Sequence, residues 1–412
     1  MSSLSDQTVL SRRLGLPGSV RRAVVGVMAS FALNGMFVGV FGASLPGLRD
    51  RFDTDARGIS VLLVASGVVA VTTMQLGGRW SDRVGARIPT LVGPPLMAVG
   101  LLILAWAPTH PVGIIGAMVF GAGNGCMDVA MNTLAVHVER RRGRPVMSRF
   151  HAFFSIGSTA GAGIAYLVSR LPISDDTFVA VSIVAVVALG LGALVAMWSS
   201  MPQSAPEVRD ATTPRGPLPR ATWLLGAMAV CFGLTEGTGF DWSSIHVADV
   251  ADVDRGTGAL GLVCVSVFMV AIRLVGDHLV ERFGHRRVVG AGSATAVAGY
   301  LFAVLATELP LVLVGWSLVG LGVGMIAPQI YGTAGNLGGG RVMGVVVGFG
   351  YTAFLTGPAL IGTVADHAGI ARAMLVPLAT GVALVVMARW MPSVAHQPAA
   401  APSRPVLPET EA

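Results

Sequence analysis

Twelve stretches of this 412-residue chain are apolar enough and long enough to cross a bilayer, and no other property narrows its possible folds so far. A hydrocarbon core about 30 Å thick takes roughly 20 residues of helix, because a backbone that leaves water must satisfy its own donors and acceptors. The stretches run at 23–46, 59–80, 88–106, 112–137, 147–169 and 178–200, then at 221–246, 258–280, 287–306, 309–333, 342–365 and 370–391. With 53% hydrophobic residues, 12% charged residues and a mean hydropathy of +0.71, the chain has too little polar surface for a water-soluble protein of its length. The expected class is therefore an all-α membrane protein of twelve transmembrane helices.

The organisation follows from what separates the stretches. Residues 202–220 hold five prolines among charges, which rules out a span and reads as a linker. This divides the chain into a tail at 1–22, a six-helix bundle at 23–201, the linker, a second bundle at 221–391 and a Pro- and Ala-rich tail at 392–412, expected to be disordered. All 28 basic residues are arginine. Of these, 21 fall in the termini, the linker and the even-numbered loops, 6 in the opposite loops, and Arg273 lies inside the eighth stretch. That bias places both termini in the cytoplasm. It also gives the high pI of about 10.0 a membrane meaning rather than a nucleic-acid one, since the arginines sit in short loops between apolar runs. Arg12, Arg13, Arg21 and Arg22 resemble a signal-peptide n-region, but the apolar run after them is too long and eleven more follow, so the first helix is expected to remain. Cys126, Cys231 and Cys264 all fall in apolar stretches, as small packing residues do.

The two halves repeat. G-G-R-W-S-D-R-V-G-A-R at Gly77 to Arg87 returns as G-D-H-L-V-E-R-F-G-H-R at Gly276 to Arg286, with Asp82 and Glu281 199 residues apart. The same 199 residues separate Gly121, Gly123 and Gly125 from Gly320, Gly322 and Gly324. Repeated multi-helix halves are the signature of secondary transporters. In each loop glycines, Gly78 and Gly85 in the first copy, allow a helix end and a tight turn, the acid offers an acceptor, and Arg83 and Arg87 offer fixed donors.

The stretch G-R-W-S-D-R-V-G-A-R resembles the signature loop between helices 2 and 3 of the major facilitator superfamily, and twelve spans in two halves look like its fold. The resemblance covers nearly the whole chain. It implies two pseudo-symmetric six-helix bundles and a cytoplasmic gate in which Asp82 braces the start of helix 11 near Arg341, while Glu281 braces the start of helix 5 near Met147. Gly78, Asp82, Arg83, Gly85 and Arg87 form the first copy of that gate. Gly276, Asp277, Glu281, Arg282 and Gly284 form the second, where Asp277 stands in place of Gly78 and Glu281 in place of Asp82.

Polar residues inside spans are costly and tend to line cavities. Asn124, Asp128 and Asn132 recur at steps of four on the fourth span and share one face. An acid followed four residues later by Asn on this helix resembles the fucose-permease branch of the superfamily, which implies a proton-coupling role for Asp128. That branch also carries an acid on helix 1 before an L-P pair, whereas here Gly42 precedes Leu45 and Pro46, and Asn34 is the polar residue of that span. In the seventh span, L-T-E-G-T-G-F-D-W-S-S-I-H places Glu236 near mid-membrane, with Asp241 and Trp242 further along as site residue or, for Trp242, interfacial anchor. His151, beside Arg149, reads as a capping or snorkelling histidine. Arg273 is one turn from Asp277 and is expected to pair with it as gate scaffold. On the tenth span Gln329 and Tyr331 are placed to hydrogen-bond a polar solute, and Pro328 removes a backbone donor. T-G-P around Gly357 and Pro358 resembles a bend motif of some antiporters.

No nucleotide-binding G-x-x-x-x-G-K-[ST] stretch, paired metal ligands or nucleophile-base motif is present, so an enzyme, a metal site and a bound cofactor are not expected. The reading is a monomeric, proton-coupled symporter of a small polar solute such as a sugar, in the cytoplasmic (inner) membrane, with the lipid bilayer and protons as its other partners. The alternatives are a drug or metabolite efflux antiporter, and a non-transporting receptor or channel on the same scaffold.

Overall fold

The computed structural model describes residues 18–84, 87–142, 147–172, 184 and 217–392. They form α1 (Gly18–Arg51), α2 (Ala56–Val84), α3 (Arg87–Trp106), α4 (His110–Arg142), α5 (Met147–Val168), α6 (Arg220–Val250), α7 (Arg255–Gly258), α8 (Leu260–Phe283), α9 (His285–Leu305), α10 (Leu309–Val323), α11 (Ile326–Ala368), α12 (Ile370–Ala373) and α13 (Leu375–Ala388). Among the described residues eleven helical segments are long and apolar enough to cross a membrane, and there is no strand. The sixth expected span, at 178–200, lies outside the described residues apart from Val184, as does most of the linker.

The sequence repeat becomes a repeat of helix contacts. A Cβ added at Gly121 on α4 would lie 2.1 Å from the carbonyl oxygen of Ser66 on α2, and one added at Gly320 on α10 would lie 2.2 Å from that of Val265 on α8. Gly123 and Gly322 likewise leave no room against the backbone nitrogens of Met97 and Ala296, at 2.6 and 2.4 Å. Each partner pair keeps the 199-residue offset. Only glycine lets these helices touch backbone to backbone, and in lipid such close packing replaces the hydrophobic drive that water would supply.

The halves meet along α1 with α6, α2 with α11, and α5 with α8. Ser60 on α2 donates to the carbonyl of Pro358 on α11 at 2.8 Å, and the hydroxyls of Ser158 and Ser266 meet at 3.0 Å between α5 and α8. At the face away from the Arg-rich loops, here the far face, ion pairs tie the halves. Arg49 holds Asp249 through two hydrogen bonds of 2.6 and 2.5 Å, Asp50 lies 3.9 Å from Arg255, and Arg170 lies 3.6 Å from Asp254.

Two features depart from the spans expected from sequence. The tenth span breaks after Val323 and resumes at Ile326, and α11 then continues for 43 residues through the loop expected between 333 and 342. No proline lies between Pro328 and Pro358, and glycine keeps its N–H, so the helical ladder continues. This run contains the end of one apolar segment, Leu309–Leu337, and the whole of the next, Val342–Ala368, and it folds back on itself, since a Cβ added at Gly350 would lie 2.9 Å from the hydroxyl of Tyr331. The turn from α8 to α9 takes a single residue, Gly284, whose φ of +79° suits glycine.

Candidate substrate and proton site

The interface between the halves gathers the acids that sequence spacing put inside the spans. On α4, the amide of Asn132 donates to the backbone carbonyl of Asp128 at 2.8 Å and to its carboxylate at 3.3 Å, as the four-residue spacing requires. From the other half, Tyr331 on α11 stands within electrostatic reach of both Asp128 and Glu236, and Tyr351, two turns short of Pro358, within reach of Asp128 and Tyr331. The Tyr331 hydroxyl itself lies against Gly350 of the same element. Tyr351 carried no signal in the sequence, because one aromatic in an apolar span looks like any core residue.

The side chain of Asp277, the expected partner of Arg273, lies outside the described residues, and Arg273 itself turns into the interface. Its Nη2 approaches the Glu236 carboxylate at 3.4 Å, its Nε donates to the carbonyl of Gly324 at 3.1 Å, and its Nη1 donates to the hydroxyl of Ser155 at 2.5 Å and the carbonyl of His151 at 3.3 Å. A guanidinium in a membrane takes every acceptor in reach, and these four surround it. The ring of His151 packs edge-on against Phe31, with centroids 5.2 Å apart.

Other expected site residues are dispersed. Asn34 on α1 is 1% exposed and neither amide atom has a partner among the described residues, which leaves it able to bind a polar guest. Trp242 is fully buried, so it is not an interfacial anchor, and Asp241 beside it is half-buried. Gln329 is buried, and its side-chain oxygen meets Nδ1 of His285 on α9 at 2.6 Å. Asn124 is half-buried on the Asp128 face.

Of the gate, Gly85 and the side chains of Asp82, Arg83, Arg87 and Arg341 lie outside the described residues, as does whatever surrounds Gly78. Gly276 packs against Met325, while Glu281 and Arg282 are exposed. At the start of α5 the backbone N–H of Met147 is taken by Glu139, from the end of α4, at 2.9 Å. A carboxylate in the same half, eight residues away along the chain, reaches that helix start without any closure between halves.

Sequence reasoning also passed over a buried network in the second half. Trp316 donates its indole N–H to Nδ1 of His246 at 3.3 Å, so the other ring nitrogen must carry the proton it gives to the carbonyl of Ala303 at 2.7 Å. His246 is therefore a neutral imidazole closing one of the last carbonyls of α9. Tyr300 packs edge-on against Trp316 and donates to the carbonyl of Thr235, the residue before Glu236. Among the described residues no group of three His, Cys, Asp or Glu side chains converges as a metal site would require.

Two repeated bundles of membrane-length helices, tied by ion pairs at one face and joined inside by an Arg273–Glu236 pair that reaches the opposite half, have the build of a membrane transporter. Residues 27–272 match the Major Facilitator Superfamily. An uncharacterized transporter of Sinorhizobium fredii is 34% identical over 348 residues, covering 83% of this chain and 91% of that one. The chain belongs to the major facilitator superfamily. Among solved structures, a variant of the nucleoside transporter NupG superposes with a TM-score of 0.70 at 11% identity, covering 91% of this chain and 100% of that one. FucP in its outward conformation superposes with a TM-score of 0.61 at 16% identity over 90% and 98%. At these identities the likeness is one of fold.

Proposed function

We propose that this protein is a proton-coupled secondary carrier of a small, neutral, polyhydroxylated solute, working by alternating access in the cytoplasmic membrane with both termini inside. The observation that carries this reading is the carboxylate of Glu236 held by Arg273, whose guanidinium also reaches Ser155 and the His151 carbonyl of the opposite half. A carboxylate in each half gives the interface a group that gains or loses charge, and hydrocarbon raises the cost of the charged form. Asn34, Asn132, Tyr331 and Tyr351 add donors and acceptors of the kind that hydroxyls need. The ion pairs at the far face fit a conformation closed to the outside. That FucP is a fucose:proton symporter and NupG a nucleoside transporter supports the choice of solute class.

The test is a thermal-unfolding panel of neutral monosaccharides, polyols and nucleosides on the purified protein, followed by counterflow of each stabilising compound in proteoliposomes. A ligand of the native state raises the unfolding midpoint. Stabilisation by at least one such compound together with counterflow is expected. Stabilisation only by lipophilic cations would favour efflux, and binding without counterflow would favour a receptor.

A further inference from the structure

We propose that Arg273 is a positioning residue that couples the protonation of Glu236 to a hinge in the tenth span and to the opposite half. The proposal rests on the proton-coupled reading above. Its starting point is Pro328. An α-helix through this region would pair the N–H of residue 328 with the carbonyl of Gly324, four residues earlier, and proline has no N–H to give. The helix is broken at that place, between Val323 and Ile326, and the orphaned carbonyl of Gly324 receives the Nε–H of Arg273 instead. In lipid an unpaired carbonyl is costly, so a side-chain donor there holds the break in one geometry.

The rest of the guanidinium is committed to two other partners. One edge holds Glu236 on α6 and the other reaches Ser155 and the carbonyl of His151 on α5, in the first bundle. One rigid, planar cation therefore joins the acid, the hinge and the far bundle, and lysine, with no fixed fork, cannot span all three. When Glu236 is ionised it holds Arg273 by charge. When it is protonated that attraction falls, and the same cation is left to the Gly324 carbonyl and to α5. The charge on Glu236 thus shifts how firmly the hinge and the two halves are held together. Facing Glu236 are Arg273 on α8, Tyr300 on α9 and Tyr331 on α11; His151 on α5 stands beside Arg273, and Asp128 on α4 beside Tyr331.

The geometry supplies a test that separates coupling from structural support and needs no solute. Replacing Pro328 with Ala returns an N–H to Gly324 and makes the Nε of Arg273 dispensable for the backbone. In a background with Cys126, Cys231 and Cys264 changed to Ala, Ala43→Cys, buried in a cluster with Ala259 and Leu262 of the other half, reports outward opening through its rate of labelling by a membrane-impermeant maleimide. In the parent this rate should change about threefold or more between roughly pH 5 and pH 9, as the population of the two states follows the proton. Arg273→Gln should lower the unfolding midpoint and flatten that pH dependence, and Arg273→Lys should flatten it as well. Adding Pro328→Ala to Arg273→Gln should recover most of the midpoint and leave the profile flat. Recovery of both would make Arg273 a structural staple and overturn the coupling role, as would a parental profile in Arg273→Gln alone. A flat profile in the parent overturns the coupling together with the proton reading on which it rests.

Discussion

At the scale of single residues, the membrane turns ordinary polar groups into fixed commitments. His246 is held neutral between the Trp316 indole and the Ala303 carbonyl, so its removal leaves a donor and an acceptor unpaired in an apolar interior. Each such group costs roughly 1–3 kcal/mol, so His246→Ala should lower stability by about 2–5 kcal/mol and leave the pH dependence of transport unchanged. A thermal-unfolding curve in detergent checks the first part, and a parental midpoint would remove the network's structural role. Asp128, Asn132, Glu236 and Tyr331 were legible in the sequence because an acid or amide in an apolar span is conspicuous. The partner of Arg273 was not legible, because local spacing offers Asp277 while the acceptors it uses lie 37, 51, 118 and 122 residues away. The hydrogen bond between Gln329 and His285 was not legible for the same reason, the histidine lying on another helix.

At the scale of elements, the glycine repeat sets how closely helices cross. A side chain at Gly121 or Gly320 would overlap a neighbouring carbonyl, whereas nothing lies within 4 Å of a Cβ added at Gly163 or Gly237. Gly121→Val and Gly320→Val should each cost about 3 kcal/mol or more through overpacking, and Gly163→Ala and Gly237→Ala should be tolerated. The yield of monodisperse protein after purification separates the two sets, and equal yields would contradict the backbone contacts. Span positions were readable from apolar length, and the kink at Pro328 from its missing N–H. The continuation of α11 past 333 was not, since the glycines at 338–340 look like a loop yet keep every donor that a helix requires.

At the scale of the whole molecule, the repeat relates the ends of the first and seventh spans, and opposite charges at near-equivalent places, Arg49 and Asp249, meet across the interface. Asp254 belongs to the same closure. Partial burial pushes its carboxyl up, but the hydrogen bonds from Thr257 and the charge of Arg170 outweigh this and hold it below the usual carboxylate range. A carboxyl lowered in this way contributes fully above its unfolded value of about 3.9 and loses that contribution only as pH falls through the lower folded value. The share of the far-face closure that Asp254 carries is therefore constant near neutral pH. Asp249→Asn should weaken the closure by about 1 kcal/mol and raise maleimide labelling of Ala43→Cys roughly fivefold, with the exchange Arg49→Asp/Asp249→Arg restoring it. Unchanged labelling in Asp249→Asn would show that the ion pair does not hold the far face. The most direct measurement is solute movement in proteoliposomes under an imposed pH gradient, using a compound that passes the thermal panel, for the parent, Asp128→Asn and Glu236→Gln. The parent should accumulate solute, and at least one neutral variant should lose accumulation while still exchanging solute between two loaded compartments. Accumulation equal to the parent's in both variants would contradict proton coupling through these carboxylates.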